Sequence, residues 1–373
     1  MSSLVPPSLY AAIFQWVLFV LVLIMAARCK DESIYKSSIA NSMSSTGKVL
    51  VLAITLIVGF RPVSGYFGDT VNYAGGFIRR QASGQADFIN SLFSFEGEFV
   101  FAGIQDFCVE YADIHTMLLI FALIFFICQF ITCRRLLGQY WFAPFVAMAG
   151  MIDYWGFAVN GIRNGAAANL MILALTYGRK WKLSIPLGLM AIGIHKSMLL
   201  VGGAAILAHF YRKTIAYLIW WVCAIILSAI AGGTTSNILL TYLGGADDRM
   251  NSYLEHSKNA ELMAGFSSSG FRIDFLVYSA IPIIVGYWYT QMNNIRDDYY
   301  KWWLNMYIIA NSFWVLMMKA AFTNRFAALS WFMAGIILMY PFFKYKFISA
   351  QGRYAACAIL SWYSFSFLKN ILL

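Results

Sequence analysis

Charge is scarce in this chain: of 373 residues only 12% are Asp, Glu, Lys or Arg, while 61% are hydrophobic. A water-soluble fold cannot absorb that much apolar side chain, because it must still cover itself with polar groups. Acid is scarcer than base, 17 residues against 27, for a formal net charge of +10. The basic residues stand singly and in pairs beside apolar runs, a pattern of membrane topology that argues against nucleic acid as a partner. Alternating segments of about ten residues are missing, which excludes a transmembrane β-barrel. The six cysteines (Cys29, Cys108, Cys128, Cys133, Cys223, Cys357) lack metal-ligand spacing and read as packing residues, with no metal site implied. No basic stretch precedes the first apolar run, 9–27, whereas Arg28 and Lys30 follow it. That run reads as an uncleaved span with its N-terminus outside. No repeat of 20–50 residues is visible.

What is present is grease in lengths suited to a bilayer. Runs at 9–27, 48–60, 114–132, 140–158, 164–178, 183–194, 197–210, 214–232, 273–290, 303–319, 325–343 and 354–369 predict an all-α integral membrane protein. The expectation is about 12 transmembrane helices, some short or broken, in a single polytopic domain over 1–373. Alternating sides from an outside N-terminus places sixteen of the 27 Lys and Arg inside, the bias that a cytoplasmic face carries. Residues 183–210 are the awkward stretch. As one helix they would reach about 42 Å, too long for one span and too short for two full ones. Two short helices turning at His195–Lys196 keep "GRKWK" and "YRK" on the same side. Two long segments, 61–113 and 233–272, remain outside as extracytoplasmic loops. Their aromatics set among charges predict amphipathic interfacial helices, and loops of this length are usually functional.

With that parity, cations fall at outward turns: Arg61 after the second run, Arg163 in "NGIRNGAAAN", His195 and Lys196 in "IGIHKSM", Lys319 and Arg325 in "KAAFTNRF". All oppose the positive-inside bias, and ionisable groups near hydrocarbon commonly mark a substrate path. Snorkelling to headgroups, or pairing with Asp69, Asp153 or Asp274, is the alternative for each. A guanidinium fork suits phosphate better than an ammonium does, so a lipid-linked pyrophosphate fits these positions.

In order along the chain stand "FRPVSGYFGDTVNY" (60–73), "EGEFVFAGI" (96–104), "NGIRNGAAANL" (160–170) and "GIHKSMLL" (193–200). This ordered set resembles the EpsG-type, Wzy-like bacterial polysaccharide polymerases, over roughly residues 50–210 and more faintly at "TNRFAAL". The departures are Thr70 after the aspartate, Asn164 after the arginine, and Lys196 between His195 and Ser197. The resemblance implies transfer of a growing glycan from undecaprenyl pyrophosphate to an incoming lipid-linked repeat unit, making O-antigen, capsule or exopolysaccharide. The implied place is the outer face of the bacterial cytoplasmic membrane. It further implies an undecaprenyl-pyrophosphate-linked oligosaccharide as substrate, no cofactor, and a chain-length regulator and a flippase of the same pathway as partners.

That chemistry needs a base for the acceptor hydroxyl and cations for the departing diphosphate. Asp69, Glu98 and His195 are the candidates for the base. Arg163, Arg325 and Arg61 are the candidates for the diphosphate clamp, with Lys196 and Lys319 behind them. Tyr73 joins them, since a helix opening at Asp69 puts Asp69 and Tyr73 on one face. For Asp69 the alternatives are an N-cap or an ion pair with Arg61; for His195, the end of a short helix; for Glu98, a merely soluble helix face. A lipid-linked oligosaccharide flippase, which should show pseudo-symmetric halves, and a membrane acyltransferase acting on glycans are the rival functions.

Overall fold

The computed structural model describes residues 5–178, 180–244, 270–292, 297–320 and 323–372, and among them there are helices and turns but no strand. The chain gathers into two compact units, one of Met1–Gly202 with Leu338–Leu373, the other of Gly203–Ile337.

In the first unit α1 (Tyr10–Lys30) is followed by a short 3-10 turn and α2 (Ser37–Gly59). At 21 and 23 residues they are about 32 and 35 Å long, enough to cross hydrocarbon. Arg28 and Lys30 close α1, where cations also favour the carbonyl end of a helix. Next come three short helices, α3 (Thr70–Ser83), α4 (Phe88–Phe93) and α5 (Phe99–Tyr111), where interfacial helices were expected in 61–113. Asp106, 1% exposed, ties all three together. It accepts Arg80 Nε and Nη2 at 2.7 and 2.8 Å, the Ser91 hydroxyl at 2.6 Å and the Asp87 amide at 3.3 Å. Burial alone would raise its carboxyl, but these donors outweigh burial and hold it below the usual range.

The span α6 (Ile114–Leu137) opens on Asp113, whose carboxylate accepts the Thr116 amide at 2.8 Å, an N-cap bond. The expected run at 140–158 is broken into α7 (Phe142–Ala149) and α8 (Tyr154–Val159), with Asp153 at φ +60° in the turn between them. Gln129 of α6 supports the break, accepting the Tyr154 hydroxyl at 2.6 Å and donating to the Phe145 carbonyl at 3.2 Å. Irregular backbone at membrane depth is tolerated where it is buried in protein. From there α9 (Ile162–Thr176) and α10 (Trp181–Ile194) lead to a turn at 195–197 and α11 (Met198–Phe210). The two short helices meeting at His195–Lys196 are thus as expected. The C-terminal α16 (Gln351–Leu372), named here after the helices of the second unit, packs along α1, with the Tyr363 hydroxyl on the Gln15 carbonyl at 2.8 Å.

The second unit contains α12 (Thr214–Gly244), α13 (Ile273–Met292), α14 (Asp298–Leu316) and most of α15 (Thr323–Lys344). Asn311 of α14 joins two neighbours, accepting Trp221 Nε1 at 2.8 Å and donating to Ser330 Oγ at 3.0 Å. α12 joins two helical stretches across a kink at Ala231 (φ −129°), and the second, running on to Gly244, occupies the start of the outer loop expected over 233–272. The stretch 245–269 of that loop lies outside the described residues.

Six described helices combine the length and hydropathy of a membrane crossing: Pro7–Lys30, Ser37–Gly59, Ile114–Tyr140, Thr214–Tyr242, Ile273–Gln291 and Thr323–Lys344. The protein is a multi-pass membrane protein, but six such helices stand where twelve spans were expected. The remaining apolar runs form helices that are too short, broken or more polar, such as α9 with 15 residues and α10 with 14.

Candidate functional site

The end of α2 turns into "FRPVSGYFGDT", and Arg61 holds that turn from inside. Its side chain is 1% exposed. Nη1 donates to the Val58 carbonyl at 2.7 Å, while Nη2 donates to the Val159 carbonyl at 2.9 Å and to Thr70 Oγ1 at 3.1 Å. Burial pushes the guanidinium down to about 10, which leaves it charged at neutral pH. The sequence put Arg61 among the diphosphate ligands. Two of its contacts, to Thr70 and Val159, instead staple the start of α3 to the end of α8, and the third ties in the end of α2, so its visible work is to position. The same junction explains Gly68. Its φ of +56° suits glycine, and a Cβ there would strike the Asn160 side chain. Asn160 Oδ1 accepts the Asp69 amide at 2.7 Å.

Asp69 precedes α3, but its side chain makes no capping bond; Oδ1 accepts Asn72 Nδ2 at 2.9 Å. The N-cap alternative therefore falls away. No ion pair to Arg61 is seen, since Arg61 binds carbonyls and a hydroxyl.

Four residues after Val159 on the chain, Arg163 leads into a cluster of three ionisable side chains from three separate segments. Arg163 Nη1 donates to Glu98 Oε2 at 2.9 Å, and Glu98 Oε1 lies 3.8 Å from His195 Nδ1. The exposures of Arg163, Glu98 and His195 are 22%, 10% and 17%, so the group is sheltered yet reachable. Glu98 stands at the N-terminal boundary of α5 with no capping bond, and its two oxygens lie towards Arg163 and His195. Gly193 brings α10 against α5, since a Cβ there would meet Phe99 and Val100 at 2.6 Å. That close approach delivers His195, the next turn's residue, to Glu98. The guanidinium of Arg163 lies over two rings, Phe101 at 4.7 Å and Tyr73 at 5.4 Å, so cation–π attraction adds to the ion pair in fixing it. Its Nε is buried without a partner.

His195 also has a defined tautomer. The Ser197 amide points at Nδ1 from 3.2 Å, and Ser197 Oγ lies 2.9 Å from the same atom. A backbone N–H can only donate, so Nδ1 accepts and the ring proton of neutral His195 sits on Nε2. At 3.8 Å the Glu98 oxygen is beyond hydrogen-bond reach and acts on the ring through its charge.

Structure thus brings together Arg163, Glu98, His195 and Tyr73 from the sequence candidates, with Arg61 and Asp69 at the adjoining junction. Lys196 is half-buried in the turn between α10 and α11. Lys319 and Arg325 belong to the second unit, where Lys319 packs over Gly232 and Arg325 lies in the first turn of α15. Asp274, weighed as a partner for these cations, is paired with Arg272 at 2.6 Å. Two contributors escaped the sequence reading. Phe101 stands three residues after Glu98, a helical spacing that could have placed it on the same face. Ser197 was visible only as a neighbour of His195.

A family model described as EpsG family matches residues 47–372 of the chain. No curated protein and no solved structure matches it.

Proposed function

Because the chain belongs to the EpsG family, a family of polysaccharide-polymerase type, we propose that it transfers a growing glycan from a lipid pyrophosphate to a lipid-linked repeat unit. The proposed face is extracytoplasmic, where the alternation of basic flanks puts Arg163 and His195. The observation that carries the reading is the sheltered Arg163–Glu98–His195 cluster, built from three segments of the first unit.

In the proposed reaction the acceptor sugar hydroxyl attacks the anomeric carbon of the donor glycan. A new C–O bond forms, the anomeric C–O bond to the pyrophosphate breaks, and the hydroxyl proton passes to a base. Glu98 is our choice for that base, with Asp69 the second carboxylate at the junction. With its proton on Nε2, His195 is set to donate a hydrogen bond to the departing phosphate rather than to take a proton at Nδ1. Arg163 neutralises the charge growing on the leaving group, an effect strengthened in a water-poor site. Its stacking on Tyr73 and Phe101 holds the fork in place beforehand, so little reorganisation is needed when the charge develops. Lys196, in the turn between α10 and α11 of the same unit, is proposed as a further cation on the diphosphate.

The test is the length distribution of surface glycan in cells lacking the protein. Single-repeat glycan in the null, with a ladder restored by wild type but not by Arg163→Ala at equal protein level, is the expected result. A null that retains the full ladder overturns the proposal. Loss of all lipid-linked repeat from the outer face would point to a flippase, and a full ladder lacking acyl groups to an acyltransferase.

A further inference from the structure

α1 and α2 both line a cavity of about 1160 Å³ in the first unit. Ile13, Val17 and Leu21 contribute from α1, and Leu50, Ile54 and Ile57 from α2. Phe145 and Val146 of α7, both buried, form part of the lining, so this is a recess and not a flat lipid-facing surface. Charged or titrating lining groups other than tyrosine are confined to one end, where Asp113 and His115 open α6. Asp113 is engaged in capping, bonding both the amide and the hydroxyl of Thr116. His115 is the other ionisable side chain at that mouth. Apolar walls between two membrane-length helices suit a hydrocarbon chain; of the two polar side chains at one end, His115 rather than the ionised Asp113 is the one that can donate to an anionic head.

The cavity also borders the junction beside the candidate site. Phe60, Pro62 and Val63 line it, and they flank Arg61, whose Nη2 holds the Val159 carbonyl. Tyr154 and Trp155 line it too, and they begin α8, which runs through Val159 towards Arg163. We propose that this groove holds the hydrocarbon chain of the lipid-linked glycan and delivers its phosphate end past His115 to the Arg163 cluster. The inference rests on the polymerase reading for the identity of its lipid, but its geometry is independent of which step the protein performs.

The test uses purified full-length protein and a fluorescent polyprenyl pyrophosphate without glycan. Ala53→Trp places an indole in the groove from an exposed position of α2, where folding is little disturbed. Leu52→Trp, on the same helix but outside the lining, is the matched control. Ala53→Trp should weaken probe binding about tenfold for every two methylene groups it excludes, Leu52→Trp should bind as wild type, and His115→Ala should weaken binding further. Equal binding by Ala53→Trp and wild type overturns the groove. Displacement of the probe by an equal concentration of phosphatidylglycerol also overturns it, since the recess would then be an ordinary lipid crevice. A groove that passes in a protein whose null retains a full ladder would leave this inference standing and sink the polymerase reading; the reverse pattern would do the opposite.

Discussion

Glu98→Gln separates the two tasks the structure gives this carboxylate. The amide keeps its size and one acceptor oxygen, so Arg163 still has a partner where Glu98 Oε2 now sits at 2.9 Å. What changes is charge. The remaining bond is still one from a charged guanidinium, so what is lost is the attraction of opposite charges, which holds Arg163 more weakly by about 1–2 kcal/mol. At 10% and 22% exposure the pair is neither fully screened nor fully buried, so the lower half of that range is the better figure. Looser positioning of that size reduces turnover by about tenfold or less. Loss of a general base costs about 10²–10⁴. The two roles therefore predict separable outcomes. The assay is the initial rate of chain extension per folded molecule, using purified protein in lipid and defined lipid-linked repeat units. A fall of a hundredfold or more with normal accumulation is expected. A fall of tenfold or less would refute Glu98 as the base and leave it a positioning residue for Arg163.

Arg61→Met should act on folding before chemistry. It leaves the Val58 carbonyl without this donor and unpins α3 from α8, at a cost of about 2–4 kcal/mol; membrane accumulation should drop while activity per folded molecule changes far less. A specific activity lowered a hundredfold in well-folded protein would instead place Arg61 on the substrate. Gly68→Ala forces a non-glycine residue to φ +56° and a methyl into Asn160, a strain of about 1–3 kcal/mol that a lowered unfolding midpoint should report. Asp106 supplies a pH signature. Because its carboxyl is held below the usual range, it stabilises the folded state above about pH 4, and that contribution is lost as pH falls through the depressed value. Wild-type thermal stability should decline on acidification in this window, and Asp106→Asn, already weaker at pH 7, should show a shallower decline. Parallel curves would remove Asp106 as the source.

The boundaries of α10 and α11 were legible because length is a hard constraint. Twenty-eight apolar residues fit neither one crossing nor two full ones, and a turn at His195–Lys196 resolves the mismatch. The break inside 140–158 was not legible, since nothing local in "WFAPFVAMAGMIDYWGFAV" forces it. It is braced from another helix, where Gln129 bonds the Tyr154 hydroxyl on one side of the break and the Phe145 carbonyl on the other. Among the site residues, the sequence pointed to Arg163, Glu98 and His195 as separate members of a set. It treated Arg61 as their equal, because a cation after a span looks the same whether it faces a ligand or two backbone carbonyls and a hydroxyl.

What the sequence determined by itself is the environment: a chain this apolar must lie in a bilayer, with helices and flanking cations arranged to suit, because hydrophobic transfer and backbone hydrogen bonding depend on composition and local order. What only the tertiary structure decided is the division of labour among the charges. Gly193 lets α10 approach α5 closely enough for Glu98 to lie between Arg163 and His195, and the Val159 carbonyl takes Arg61 out of that group. A charged side chain is defined by the partner that meets it, and these partners stand up to about a hundred residues away along the chain.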